Sequence, residues 1–487
     1  MTPFRTLSLA VALGLGLAST AGATDLLQAY EAARLGDPQL SRADATRLAT
    51  QENVPLARSN LLPQISGNAS LTRSESTTDG LNPIIDEEGN VVYGNARSES
   101  DTTDRQYGLT LQQSIYDHAN WTRLRAARTR GEQADFEYRA AADALFVRTA
   151  EAYFNVLTAI ETLASARAQE QAVRRQLEQA ETRLEVGLAP ITDVHEARAA
   201  YDSARANAIL AQTALNDANE ALTEITGEPA TNLRGLDPDY VPTAPMPEDV
   251  NAWIDRAMAN NPSLRAAELA AQAAEHDIDT ARAAHLPRLT ATANYGKSAQ
   301  WGTQTTSDFE RLTTSDRRSG SVGIALQVPI FSGGAIRAGV RQATYQRDAS
   351  LDLLEETRRA LNRSTRSIYD AVVAGISEVE ARRAAVVSAR SAYDASEAGL
   401  EVGTRTIVEV LITQQNLFQA QREYAAARHN FLVNTLRLKQ ATGTISFADL
   451  EALNRLLTID AEAALDPDAI RESATPDTGL DRLPRDP

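Results

Sequence analysis

Five histidines, His118, His195, His276, His285 and His429, are scattered through 487 residues, and none falls in an HExxH or comparable ligand spacing. The tightest grouping is His276 with Asp277 and Asp279. It lies in an Ala/Glu/Arg-rich stretch that reads as a solvated helix face rather than a metal site. The chain has no cysteine, which excludes disulfides, thiolate ligands, cysteine nucleophiles and a lipid anchor on an N-terminal cysteine. Ser332-Gly333-Gly334 follows an alternating apolar run and reads as a strand-to-helix turn. There is no nucleophile–base set and no phosphate loop, so the chain is read as a non-enzyme without metal or cofactor. A formal charge of −17 argues against nucleic acid, whose phosphates need a basic surface. Arg405 and Glu409 stand four residues apart, where the plain reading is an i,i+4 ion pair on a helix surface.

The elements that carry these residues come in two copies. Asp37-Pro38-Gln39-Leu40 recurs as Asn261-Pro262-Ser263-Leu264, and Leu62-Pro63-Gln64-Ile65 as Leu286-Pro287-Arg288-Leu289, both at an offset of 224. Leu184-Glu185-Val186-Gly187 recurs as Leu400-Glu401-Val402-Gly403, and Leu222 to Gly227 as Leu438 to Gly443, both at 216. One duplication accounts for all four matches. The difference of eight falls mostly between the strands of each pair, which predicts a longer strand-to-strand loop in the first copy.

Each copy holds a strand pair and a long helical hairpin. Ile65, Gly67, Ala69 and Leu71 alternate with polar residues, as do Leu289, Ala291, Ala293 and Tyr295. Their partners are Tyr107, Leu109 and Leu111 in the first copy, and Val322, Ile324, Leu326, Val328 and Ile330 in the second. The polar stretches 74–104 and 298–319 read as exposed loops. Strands of about ten residues with one apolar face suit a transmembrane barrel. From about Ala119 to Val186, and from Ala335 to Val402, there is no proline, and apolar residues return every seven positions: Val156, Leu163, Leu177 and Leu184, then Val372, Val379, Val386, Tyr393 and Leu400. After turns at Gly187–Ile191 and Gly403–Thr406 the spacing resumes through Val194, Tyr201, Ala208, Leu215 and Leu222, and through Val410, Leu417, Tyr424, Phe431 and Leu438. Sevenfold spacing predicts coiled-coil packing of antiparallel helices. The Pro- and Asp-rich 228–250 separates the copies, and an acidic tail follows Thr458.

Arg5, the apolar run Leu7 to Ala18 and Ala21-Gly22-Ala23 form a signal peptide with an A-x-A site, which predicts a mature chain from Thr24. An exported chain with four alternating strands cannot leave sheet edges open in hydrocarbon. Bacterial barrels begin at eight strands, so two, three or more protomers must share one barrel. The competing reading is a periplasmic adaptor or scaffold that uses its coiled-coil hairpins without a pore.

The order and spacing of Ala152-Tyr153-Phe154-Asn155-Val156-Leu157, of Val186-Gly187-Leu188 with Ile191-Thr192-Asp193-Val194, and of Val402 through Val410 resemble the TolC family of outer-membrane efflux proteins, from about Leu26 to Leu457. The resemblance implies a helix-dominated homotrimer. In it a 12-stranded β-barrel, with four strands per protomer, continues into a long α-helical coiled-coil barrel with a small mixed α/β equatorial domain. It implies an exit duct embedded in outer-membrane lipid, serving drug efflux or type I secretion. A periplasmic adaptor, or membrane fusion protein, would couple it to an inner-membrane transporter of RND, ABC or MFS type.

On that reading, 1–23 is the signal peptide, 24–61 the first N-terminal helices, 62–117 the first strand pair with its extracellular loop, and 118–227 the first hairpin. An equatorial segment at 228–250 precedes short helices at 251–285, the second strand pair at 286–334 and the second hairpin at 335–443. Residues 444–487 complete the equatorial domain and tail. The resemblance places a periplasmic gate at Glu409, Arg405, Asp193 and Thr192, with Arg405 and Asp193 as the linking pair. It puts adaptor docking at the tip residues Val186, Gly187, Leu188, Val402, Gly403 and Thr404. The chain departs from the family pattern at two points: the second acidic gate position is Ile412, and the assisting tyrosine is Leu400.

Overall fold

The computed structural model describes residues 24–306 and 309–466; the signal peptide expected at 1–23 and the end of the acidic tail lie outside them. The first copy runs α1 (Leu26–Gly36), α2 (Pro38–Gln51), α3 (Asn53–Ser59), β1 (Gln64–Ile85), β2 (Val91–Tyr116), α4 (His118–Glu185) and α5 (Ile191–Thr226). A short strand, β3 (Arg234–Leu236), leads to the second copy: α6 (Val250–Asn260), α7 (Pro262–Ala283), β4 (Arg288–Thr306), β5 (Phe309–Gln327), α8 (Ala335–Glu401) and α9 (Ile407–Ala441). The described chain closes with α10 (Phe447–Asn454) and β6 (Leu457–Asp460). The duplication is thus an alternation of matching elements. Its joints match too: the N–H of Asp37 caps α1 on the Ala33 carbonyl, and that of Asn261 caps α6 on Ala257.

The chain forms two compact units. One comprises Ala43–Arg139 with Pro262–Ala360, and the other the remainder. The first is built on a four-stranded antiparallel sheet in the order β1-β2-β4-β5. Register places Ile65, Leu111, Ala293 and Val322 in one row across the sheet, so the alternating apolar residues of all four strands share one face. That face is exposed in the single chain: Val322 is 86% and Ile324 68% accessible.

Two expectations are corrected here. The polar stretches 74–104 and 298–319 are not loops; most of both is strand, and only 86–90 separates β1 from β2. The first pair carries most of its extra length as strand (22 and 26 residues against 19 and 19 in the second), and its strand-to-strand connection, 86–90, is also longer than the two residues between β4 and β5. The ladder started among apolar rows simply continues through Ser/Thr residues, held by cross-strand ion pairs of Arg73 with Asp101 (2.6 Å) and Arg97 with Asp79 (3.1 Å). Both faces are polar there, so no period-two contrast marks the strand. At the other end, β5 stops at Gln327, short of Val328 and Ile330, because Pro329 has no N–H to give a ladder.

The second unit is helical. It holds α4 from residue 140 and α8 from residue 361, the earlier turns of both helices belonging to the first unit; at 1.5 Å per residue the 68-residue α4 and 67-residue α8 are each about 100 Å long. The sevenfold positions are its seam: Val156, Leu163, Val194, Leu222, Val372, Val379, Val410, Leu417, Phe431 and Leu438 are all buried within one chain. Near the connection of the copies, β3 pairs antiparallel with β6. The fully buried Tyr153 donates to the Arg234 carbonyl (2.8 Å) and accepts from the Arg234 N–H (2.9 Å), which ties α4 to that small sheet. This is the mixed equatorial element. Beside it the His429 ring lies tilted 5.5 Å from that of Phe154, and its Nδ1 lies 2.8 Å from the Thr158 hydroxyl. Burial, with Arg428 beside it, pushes His429 down to about 3, so it sits there neutral.

Candidate functional site

The residues singled out for gating and docking lie on the two turns that close the helical hairpins, and both turns are built alike. At the end of α4 the Gly187 N–H bonds the Leu184 carbonyl (3.0 Å) and the Leu188 N–H bonds Arg183 (2.8 Å). At the end of α8 the Gly403 N–H bonds Leu400 (3.2 Å) and the Thr404 N–H bonds Gly399 (2.8 Å). Each pair is a Schellman motif, which needs a left-handed residue at the position after the cap. Gly187 and Gly403 supply it with φ of +74° and +77°. Nothing lies within 4 Å of where a Cβ would stand on either glycine, so both turns face open space. Val186, Leu188 and Val402 are 64%, 79% and 75% exposed, and Thr404 is exposed as well. Two apolar, glycine-centred knobs are therefore presented outward on rigid helices.

Beneath them the four helices are clamped. Leu177 and Ala180 of α4, Val194 and Ala197 of α5, and Ile407 of α9 form one buried cluster, with Leu400 of α8 packed against it. Leu400 also packs on a second cluster of Tyr393, Val410 and Leu417. A leucine at this position is thus an inter-helix wedge rather than a hydrogen-bonding group. The Tyr393 hydroxyl donates to Glu397 (3.1 Å), and burial pushes it up to about 12.

The next helix starts differ between the copies, and the difference decides what the two carboxylates do. Thr406 caps α9: its hydroxyl accepts the Glu409 N–H, and the Glu409 carboxylate accepts the Thr406 N–H at 2.9 Å. The other Glu409 oxygen accepts from Arg405 Nη1 at 2.9 Å. The Thr406 N–H first, and the guanidinium second, hold the Glu409 carboxyl below the usual glutamate range, so it stays ionised. In the first copy the cap is Pro190, which has neither a side-chain oxygen nor an N–H. Asp193 occupies the same third helical position as Glu409, and its backbone N–H bonds the Pro190 carbonyl at 3.2 Å. Its carboxylate has no capping partner to serve.

The structure therefore brings Arg405 to Glu409, not to Asp193, within one chain; Thr192 is exposed one residue before Asp193, and Ile412 is 51% exposed. Two contributors escaped the sequence reading. Thr406 fixes the Glu409 rotamer. Gly399 lets the Arg405 stem lie across α8, since a Cβ there would stand 2.5 Å from Arg405 Cγ. The cap was legible as T-x-x-E; the Gly399 contact had no local signal. Of the acidic pair near His276, Asp277 is engaged by Arg130, and Asp279 lies 3.6 Å from Arg282.

A family model described as outer membrane efflux protein matches residues 29–228 and 253–444, which are the two repeats. The chain is 38% identical to the outer membrane protein TolC of Escherichia coli K12, over 91% of this chain and 87% of that one. It is 30% identical to the alkaline protease secretion protein AprF of Pseudomonas aeruginosa, over 89% and 88%. Its fold is that of the CmeC outer membrane channel of Campylobacter jejuni, with a TM-score of 0.69 over 89% and 90% of the two chains at 18% identity.

Proposed function

This chain belongs to the outer membrane efflux protein family, and on that premise we propose that it is the outer-membrane exit duct of tripartite efflux and type I secretion machines. The observation that carries this reading is the pair of open sheet edges. β1 and β5 are the outer strands, 22 and 19 residues long, with their backbone groups unpaired on one side and an apolar face between them. In hydrocarbon each unsatisfied backbone group costs several kcal/mol, so the edges must close on copies of themselves. β1 and β5 run in opposite directions, so β5 of one chain can pair antiparallel with β1 of the next. Three protomers give twelve strands, wide enough for an aqueous lumen. A pore-free adaptor has no use for such strands.

The hairpin turns supply the rest of the reading. The exposed knobs Val186-Gly187-Leu188 and Val402-Gly403-Thr404 suit docking of a periplasmic adaptor, through which an RND, ABC or MFS transporter is coupled. Three Glu409 carboxylates around one axis form a cation-attracting ring. Asp193, whose helix start offers its carboxylate no cap to serve, is the acceptor we assign to Arg405 when it leaves Glu409, and Thr192 flanks that exchange. The chain reaches the outer membrane through the signal peptide at 1–23. The test is complementation of a strain that lacks its own exit duct: drug resistance or protease secretion should return together with heat-resistant trimers in the outer-membrane fraction. Restored export without such trimers would overturn the proposal.

A further inference from the structure

Above the apolar band, the outward face of the sheet changes character within one row. Register aligns Ala69, Tyr107, Lys297 and Arg318 across β1, β2, β4 and β5, and the next row is Leu71, Arg105, Ala299 and Asp316. Three cations against one carboxylate thus stand at the upper border of the apolar face, on a chain whose overall charge is −17. Lys297 is 3.3 Å from Asp316. Arg105 and Arg318 are exposed and have no ion pair among the described residues. The Arg105 guanidinium lies over the rings of Tyr107 (5.6 Å) and Trp301 (5.9 Å), which holds it flat against the sheet with its N–H edge free. Just below is a hollow of about 390 Å³ whose lining includes Gly67, Ala69, Tyr107, Leu109, Tyr295 and Lys297.

We propose that this face is a binding site for a phosphate-bearing lipid of the outer leaflet, with an acyl chain in the hollow and phosphate oxygens on Lys297, Arg318 and Arg105. The hollow is continuous with the lipid-facing band, so its occupant must be apolar below and anionic above. That is the chemistry of a charged lipid and not of a peptide or a soluble anion. Arg105 and Arg318 sit two strand spacings and one row apart, roughly 12 Å, which lets a headgroup bridge both. Guanidinium forks suit phosphate oxygens, and the ammonium of Lys297 between them adds a point charge at the mouth of the hollow. The inference rests on the sheet crossing the outer membrane.

The test is lipid retention by trimers extracted from native outer membranes in mild detergent, read by native mass spectrometry. Unmodified protein should keep the phosphate-bearing lipid, and nanodiscs of mixed composition should show it enriched over zwitterionic lipid. Arg105→Ala should weaken retention about fivefold, and Lys297→Ala with Arg318→Ala about 25-fold, at roughly a factor of five per charge. Arg317→Ala is the matched control, because Arg317 pairs with Ser298 and points to the opposite face. Equal losses in the control, unchanged retention in the double variant, or displacement of the lipid by millimolar inorganic phosphate would each overturn the proposal. Trimer recovery is scored separately. Wild-type trimers that hold no such lipid defeat this inference and leave the channel reading intact, whereas absence of trimers from the membrane defeats both.

Discussion

Arginine at Ile324 is the sharpest probe of which face meets lipid. Ile324 lies opposite Ala291 on the apolar face, six residues below Arg318 and six above Ile330, which is 95% exposed. At about 3.4 Å per residue and a strand tilt near 40°, the six strand residues from Arg318 down to Ile324 correspond to roughly 16 Å of depth below the charged border, so Ile324 sits near mid-bilayer. A guanidinium there costs about 2–4 kcal/mol, which is about 30- to 700-fold in a folding equilibrium. Three copies in one barrel raise this to about 6–12 kcal/mol if the sites act independently. Arginine at the adjacent Ala325 points into the lumen and should cost little. The assay is the yield of heat-resistant trimers in outer-membrane fractions, followed by urea titration of the folded barrels. Equal yields and equal midpoints for Ile324→Arg and Ala325→Arg would refute the assignment of faces.

Further outcomes follow from the turns and the buried core. Valine at both Gly187 and Gly403 should strain each left-handed turn by about 1–2 kcal/mol while clashing with nothing, so trimers should still form and export should be lost; normal drug resistance in that variant would argue against docking at the knobs. Glu409→Ala should reduce cation preference and multivalent-cation block in planar bilayers. Because the Glu409 pKa lies below that of an ordinary glutamate, this preference in the unmodified channel should persist as pH falls through 4.5 and vanish only at lower pH; loss of it above pH 4.5 would contradict the capped, paired carboxylate. Arg405→Ser should raise single-channel conductance, and an unchanged conductance would reduce Arg405 to a surface charge. His429 titrates near 3 when folded and 6.5 when unfolded, so the unfolded chain binds more protons in between and stability should fall as pH drops through that window; His429→Phe should flatten the slope of a urea midpoint against pH.

Much of the architecture was legible because the apolar pattern is periodic where it matters. The sevenfold series from Val156 to Leu184 and from Val410 to Leu438 marks a seam that the fold buries except at the half-buried Leu184 and Tyr424, and the bounds of α4 and α8 were read to within a residue. The lower halves of β1, β2, β4 and β5 showed one apolar face and were found. Their upper halves were missed because Ser74 to Thr78 and Ser98 to Thr103 are polar on both faces, so burial no longer separates strand from loop. At the turns, glycine spacing gave the positions of Gly187 and Gly403. The i,i+4 spacing already offered Glu409 as the partner of Arg405, and the fold makes that pair; what spacing could not show is how Thr406 fixes Glu409 and the bare surface of Gly399 seats the Arg405 stem. The same limit hid the contrast between Pro190 and Thr406, where identical repeat positions leave one carboxylate capped and the other free.

The central claim is that the open edges β1 and β5 close on neighbouring copies, three to a barrel. The chain has no cysteine, so engineered pairs give an unambiguous signal. A cysteine at Asn68 on the lumen face of β1 can be scanned against cysteines at Ser319, Ser321, Gly323 and Ala325 on the same face of β5, oxidised in intact outer membranes and resolved on denaturing gels. Closure predicts that one register cross-links efficiently between chains and that the covalent ladder ends at the trimer. A ladder that stops at the dimer, or no cross-link at any register in membranes that contain the protein, would contradict it.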